Sequence, residues 1–254
     1  SIGFAMAEGV RKVAAAYPDL KFALVDSEVD LKNVRSLMFE EHQGSYLVGA
    51  LAGLLTKTNK VGFLGGMDVP LIRRFQMGYE AGLKKTNSKA KLVNNYVGVT
   101  AEAWNNPAKA KELALSQFNS GADIVFGAAG ASNYGLLDAA EDQKKFAIGV
   151  DSNQNWVKPG FVLTSMLKRV DVAVYQVIKE AKEGSFRSGT ERFGLKNQGV
   201  DYAVDQYNEK LNAHRHEADR SKAKFDETLV DSLAPSIKAI IAYAAKLYEF
   251  VEGK

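Results

Sequence analysis

Lys60-Val61-Gly62-Phe63-Leu64-Gly65-Gly66-Met67-Asp68, followed by the amphipathic run 71–85 and then by Lys91-Leu92-Val93-Asn94-Asn95-Tyr96-Val97, decides the fold. An apolar run of strand length ends in glycines, a helical period follows, and a second β-rich run returns. That order is a βαβ unit, whose strands lie parallel. Working outward, the same alternation recurs. Strands are expected at 21–25, 34–39, 61–64, 91–97, 123–126, 146–150 and 161–165, and helices at 5–16, 41–55, 71–85, 108–119, 133–142 and 170–183. Several strands are continuous β-branched and aromatic runs, as expected where helices cover both faces of a sheet. The class is α/β with a mainly parallel sheet. Beyond 200 the pattern changes: 210–224 is strongly charged, and 225–252 carries apolar residues at helical spacing, as a polar connection and a docking terminal helix would.

The chain has 254 residues, enough for one large α/β domain or two smaller lobes. Its 33 basic against 30 acidic residues give a net charge of +3, too even for nucleic acid or an anionic membrane surface as the main partner. The absence of cysteine removes disulfides, thiolate metal sites and a cysteine nucleophile. His214 and His216 match no zinc spacing and read as part of a solvated charged segment, so no metal is expected. No dinucleotide fingerprint, P-loop or nucleophile elbow is present, so neither a cofactor nor catalysis is expected. No stretch approaches the roughly 18 apolar residues of a membrane span. Ser1-Ile2-Gly3-Phe4 reads as the end of a strand entering a helix, so upstream sequence is expected to be missing.

In open α/β sheets ligands bind beyond the carboxyl ends of the strands. Here the strands run into Asp26, into Gly65-Gly66-Met67-Asp68, into Gly127-Ala128-Ala129-Gly130, into Asp151-Ser152-Asn153 and into Lys168-Arg169. Glycines let backbone approach a ligand, and carboxylates accept hydrogen bonds from hydroxyl or amino groups. The set suits a polar, uncharged, hydroxyl-rich ligand better than a phosphate. Plainer readings stand beside it. Asp26 and Asp151 can each be a turn or cap residue, Phe126 a core residue and Lys168 a solvated lysine.

Ordered matches over residues 1–200 also make the chain resemble the basic membrane protein family, the substrate-binding lipoproteins of nucleoside ABC transporters. The matches include Tyr17-Pro18-Asp19, Gly44-Ser45-Tyr46-Leu47-Val48-Gly49, Lys60 to Met67, Gly78-Tyr79-Glu80-Ala81-Gly82, Ile148-Gly149-Val150-Asp151 and Lys168-Arg169-Val170-Asp171. The resemblance implies a type I periplasmic-binding fold, two Rossmann-like lobes joined by three crossovers and closing on ligand at a hinge. Projected here, lobe one holds 1–58 and 158–186, and lobe two holds 59–157 and 187–254.

It further implies that Asp26 hydrogen-bonds a purine edge, Phe126 stacks on the base, Asp151 accepts from ribose hydroxyls, Lys168 donates near the sugar and Gly130 offers backbone. The implied partners are a nucleoside and a transporter permease. The implied location is the periplasmic or extracellular face of the membrane, held by a lipid anchor on the missing N-terminal segment. The family opens with a strand and an Asn-Asp-x-Ser-Phe-Asn-like segment that has no counterpart in this chain. A ligand-sensing regulatory protein on the same fold is the alternative.

Overall fold

The computed structural model describes residues 1–207, so the expected terminal helix and both C-terminal histidines lie outside the described residues. Strands β1 (Phe22–Val25), β2 (Val34–Phe39), β3 (Lys60–Gly65), β4 (Lys91–Tyr96), β5 (Ile124–Ala128), β6 (Phe146–Asp151), β7 (Val162–Lys168), β8 (Gly189–Phe193) and β9 (Val200–Tyr202) alternate with six α-helices. These are α1 (Ala7–Ala16), α2 (Glu41–Leu55), α3 (Pro70–Thr86), α4 (Pro107–Asn119), α5 (Asn133–Asp142) and α6 (Val170–Lys182).

Two sheets result, ordered β1-β2-β8 and β4-β3-β5-β6-β7-β9. The pairs β1–β2, β2–β8, β3–β4, β3–β5, β5–β6 and β6–β7 are all parallel. Ile2 adds a parallel bridge to Val25 on the free side of β1.

The described residues divide into two compact units, one of Ser1–Glu41 with Lys168–Asp201 and one of His42–Leu167 with 202–207. Passages between them fall at 41–42, 167–168 and 201–202, whereas the resemblance projects them near 58, 158 and 186. The reason lies in packing. Helix α2 is built against α3, β7 pairs with β6, and β8 pairs with β2.

The first unit has a small core of Val10 and Ala14 from α1 against Leu24, Val29 and Val34. Asn33 anchors the α1 end by donating to the carbonyls of Ala14, Tyr17 and Leu20, each at 3.0 Å. Arg35 on β2 reaches across to Glu191 on β8, with its Nε 3.1 Å from the carboxylate.

In the second unit, side chains of the central strands alternate between two helical layers. Val125 joins Ala110, Ala114, Phe118, Leu136 and Ala140 beneath α4 and α5. Phe126, one residue on, turns to the opposite face and meets Phe63, Phe75 and Tyr79, the last two on α3.

Helices α2 and α3 touch backbone to backbone. A methyl group on Gly49 would lie 2.0 Å from the Tyr79 carbonyl oxygen, and one on Gly82 would lie 2.0 Å from that of Tyr46. Below the sheet, Asp123 ties the end of α2 to the start of β5. It accepts from Thr56 Oγ1 at 2.7 Å and from the backbone of Lys57 and Thr58 at 2.6 and 3.1 Å.

Tyr79 is fully buried, and its hydroxyl has no hydrogen-bond partner among the described residues. Burial pushes its phenol pKa far above the ordinary value. A buried donor left unmade costs about 1–3 kcal/mol, whereas its removal with the ring retained costs little. Tyr79→Phe is therefore expected to leave urea-unfolding stability unchanged or raise it by about 1–3 kcal/mol. A loss of more than about 1 kcal/mol would show that the hydroxyl contributes a bond.

Candidate functional site

In the first unit, β1 delivers Asp26 and β7 delivers Lys168. The Lys168 ammonium lies 2.5 Å from Asp26 Oδ1 and 3.4 Å from Glu41 Oε1. It also sits 5.1 Å from the centre of the Phe39 ring, which stacks on Phe193 at 5.2 Å. Side-chain exposures of 5% for Lys168, 12% for Asp26 and 0% for Glu41 place this cluster out of bulk water. The cation is thus held by two carboxylates and an aromatic face. The plainer reading of Lys168 as a solvated lysine is overturned, because Asp26 after β1, Phe39 of β2 and Glu41, the first residue of α2, compensate its burial. Glu41 and Phe39 are partners the sequence did not single out. Each could be read only as the first residue of a helix or the last of a strand.

In the second unit, the carboxyl ends of β3, β5 and β6 carry Gly66, Gly130 and Asp151. Asp151 is exposed, and the chain behind it is fixed by a dense set of bonds. Gln154 Oε1 accepts from the Val150 amide at 3.0 Å, and the Gln154 amide donates to Ser165 Oγ at 2.9 Å. Ser165 Oγ in turn donates to Asn155 Oδ1 at 2.9 Å, and Asn153 and Asn155 both donate to Asp205.

Two of the five non-glycine residues with left-handed backbone among the described residues are Asp26, at φ 70°, and Asp151, at φ 66°. Such a conformation costs an L-residue roughly 1 kcal/mol, and aspartate tolerates it better than most. Both carboxylates are therefore presented by strand-end turns that the rest of the fold holds in place.

Gly130, at φ 57°, is exposed at the end of β5. Asn133 shapes that end by accepting from the Ala129 amide at 3.2 Å and donating to the Gly127 carbonyl at 3.0 Å.

Phe126 is the correction. Stacking on a ligand needs an open ring face, yet Phe126 is 0% exposed, two residues short of the strand end and enclosed by Phe63, Phe75 and Tyr79. It is a core residue, because the pleat of β5 turns it under α3. The structure brings Asp26 and Lys168 into contact in one unit, and sets Gly130 and Asp151 on neighbouring strand ends of the other.

The aromatic side chains at the second unit's strand ends are Tyr96 and Trp104. Tyr96 lies against Gly65, where an added methyl would meet its ring at 2.6 Å. Tyr96 also donates to Gln76, and burial raises its phenol pKa. Asp68, after β3, receives a two-pronged bond from Arg73 at 2.6 and 2.9 Å. These bonds hold the Asp68 carboxyl below its usual range and push the Arg73 guanidinium up.

No group of three or more histidine, aspartate or glutamate side chains among the described residues converges as a metal site. No described helix is long and apolar enough to cross a membrane.

Comparison with known proteins gives this geometry a family. The model of the PnrA-like ABC transporter substrate-binding proteins matches residues 1–233. The ABC transporter nucleoside-binding protein BmpA of Lactococcus lactis subsp. cremoris is 37% identical over 223 residues, 80% of this chain and 62% of that protein. Among solved structures, ABC transporter solute-binding proteins from Aeropyrum pernix K1 align at 27% identity with a TM-score of 0.78. That alignment covers 99% of this chain and 75% of that one. A transcriptional activator of the comK gene from Bacillus halodurans aligns at 26% identity and a TM-score of 0.70, covering 87% and 78%. The chain spans 62% of the length of the first curated relatives it matches. With the parallel sheets and strand-end acids in place, the chain belongs to the PnrA-like family of ABC transporter substrate-binding proteins.

Proposed function

We propose that the chain captures a nucleoside, with preference for a purine, for uptake through an ABC transporter. The observation that carries this is the pairing of Asp151 and Gly130 on the adjacent strand ends of β6 and β5. An exposed carboxylate on a rigid turn stands at the strand end next to the one that presents the left-handed backbone of Gly130. Ribose supplies the complementary donors, and a carboxylate that accepts two hydroxyl bonds discriminates strongly against a ligand lacking them. The nucleoside-binding relative supports the ligand class, and the family supports the transport role. We further assign Asp26 and Lys168 a share in ligand recognition, and assign a membrane permease as partner. Relatives named as lipoproteins support a lipid-anchored protein on the outer face of the membrane.

Asp151→Ala is expected to weaken adenosine or inosine binding at least about tenfold, or ~1.4 kcal/mol, in isothermal titration calorimetry. Unchanged affinity removes Asp151 from the site. Similarity to the comK activator favours one second reading, a ligand-sensing regulator on the same fold. Recovery of the native protein in the membrane fraction with an N-terminal acyl group supports transport, and sequence-dependent DNA retention supports regulation.

A further inference from the structure

Lys168 has more negative charge around it than its own burial requires. Asp26 Oδ1 at 2.5 Å already supplies one counter-charge, and Phe39 offers its ring face at 5.1 Å. Glu41 adds a second carboxylate at 3.4 Å from a side chain with 0% exposure, although burying a carboxylate is costly. One ammonium against two carboxylates leaves the cluster with a formal charge of −1. The neighbouring cations are already committed to other acids. Arg169 is held by Asp171 at 3.0 and 2.9 Å, Arg192 pairs with Glu28 at 2.9 Å and Glu40 at 3.8 Å, and Arg35 is taken by Glu191.

Both carboxylates stand on fixed backbone. The Asp26 amide donates to the Leu37 carbonyl at 3.1 Å, and the Glu40 amide donates to the Phe193 carbonyl at 2.8 Å. Glu41 opens α2, where the helix dipole favours a negative side chain. Fully enclosed, it cannot swing its charge out into water.

We propose that Glu41 is a specificity-determining residue that acts through Lys168 to exclude phosphorylated ligands. The assignment rests on the share in nucleoside recognition given above to Asp26 and Lys168. A lysine matched by one acid is a neutral pair, which a phosphate can enter as a competing anion. With Glu41 in place, an approaching phosphate meets a net negative cluster, in surroundings of low effective dielectric where charge acts strongly. A hydroxyl carries no charge to be repelled and still accepts a bond from the ammonium. Glu41 thus discriminates by opposing the wrong ligand, without touching the right one.

The test is the ratio of affinities for adenosine and adenosine 5′-monophosphate, measured by displacement calorimetry. The unaltered chain is expected to bind the nucleoside at least about a hundredfold more tightly than the nucleotide. Glu41→Gln should narrow that ratio at least about tenfold, and Glu41→Asp, which keeps the charge, should leave it within about threefold. Damage to packing would weaken both ligands together and leave the ratio unmoved. If Glu41→Gln does not fold, Glu41→Met replaces it, since an apolar side chain needs no buried partner and Lys168 keeps Asp26 as its counter-ion. Failure of both to fold assigns the carboxylate to folding and overturns the proposal. An unchanged ratio in a folded neutral variant, or equal binding of nucleoside and nucleotide by the unaltered chain, overturns it while the nucleoside reading stands. No binding of adenosine, guanosine, inosine or uridine by the unaltered chain overturns both.

Discussion

Lys168→Met is expected to lower the unfolding free energy by about 3–5 kcal/mol, one of the two largest effects of any single change considered for this chain. The ammonium stands 2.5 Å from Asp26 and 3.4 Å from Glu41, with Glu41 wholly buried. Methionine keeps the length of the aliphatic stem but removes the positive charge and, with it, the cation's contact with the Phe39 ring. Two carboxylates then share a site of low effective dielectric without that counter-ion, and like charges there are costly. The double variants Lys168→Met with Glu41→Gln, and with Asp26→Asn, should each recover part of the loss, because the pairs are coupled. Urea unfolding of the set measures this. A single-variant loss below about 1 kcal/mol would mean that water already screens the cluster.

The second large effect comes from a substitution that helix propensity alone would favour. Gly82→Ala in the middle of α3 should stabilise by about 1 kcal/mol if only the helix mattered. The new methyl, however, would lie 2.0 Å from the Tyr46 carbonyl oxygen and 2.7 Å from the Ala50 amide nitrogen, both backbone atoms of α2. Neither can swing aside, so the helices must separate, and overpacking of this kind costs about 1–3 kcal/mol or more. Separation would also disturb Gly49 against Tyr79 and the bond from Thr86 Oγ1 to the Ala50 carbonyl at 2.9 Å. Packing is expected to win, with a fall in Tm of at least about 4 °C. Gly9→Ala is the control. Gly9 lies in α1 with nothing within 4 Å of the added methyl, so that change should raise the melting temperature. A rise for both variants would refute the close crossing of α2 and α3.

What could be read from residues alone follows from the range of the forces involved. Helices α2 and α5 and strand β2 begin and end where the sequence pattern places them, because each combines a strong apolar period with a clear boundary. β8 was invisible. Gly189-Thr190-Glu191-Arg192-Phe193 has no apolar run, and its strand character comes from pairing with β2. β9, three residues long, is likewise defined by its neighbours.

The strand-end rule located Asp26, Gly130, Asp151 and Lys168 at carboxyl termini, since a period-2 pattern fixes where a strand stops. It could not tell which face Phe126 takes, because β5 is apolar throughout and alternation is lost in a strand covered on both sides. Trp104 stood in 98–107, where neither period applies. Its signal was indirect: Gly66, whose need for a missing Cβ becomes clear only when the indole is seen against it.

The central claim is that a nucleoside is held at the strand-end turns and not elsewhere on the chain. Amide hydrogen exchange with and without saturating adenosine tests it most directly. Slowed exchange is expected in segments 26–28, 66–69, 127–133 and 151–155, with the exposed faces of α1 and α6 unchanged. Adenosine bound with those four segments unprotected, or with protection confined to another surface, would contradict the account.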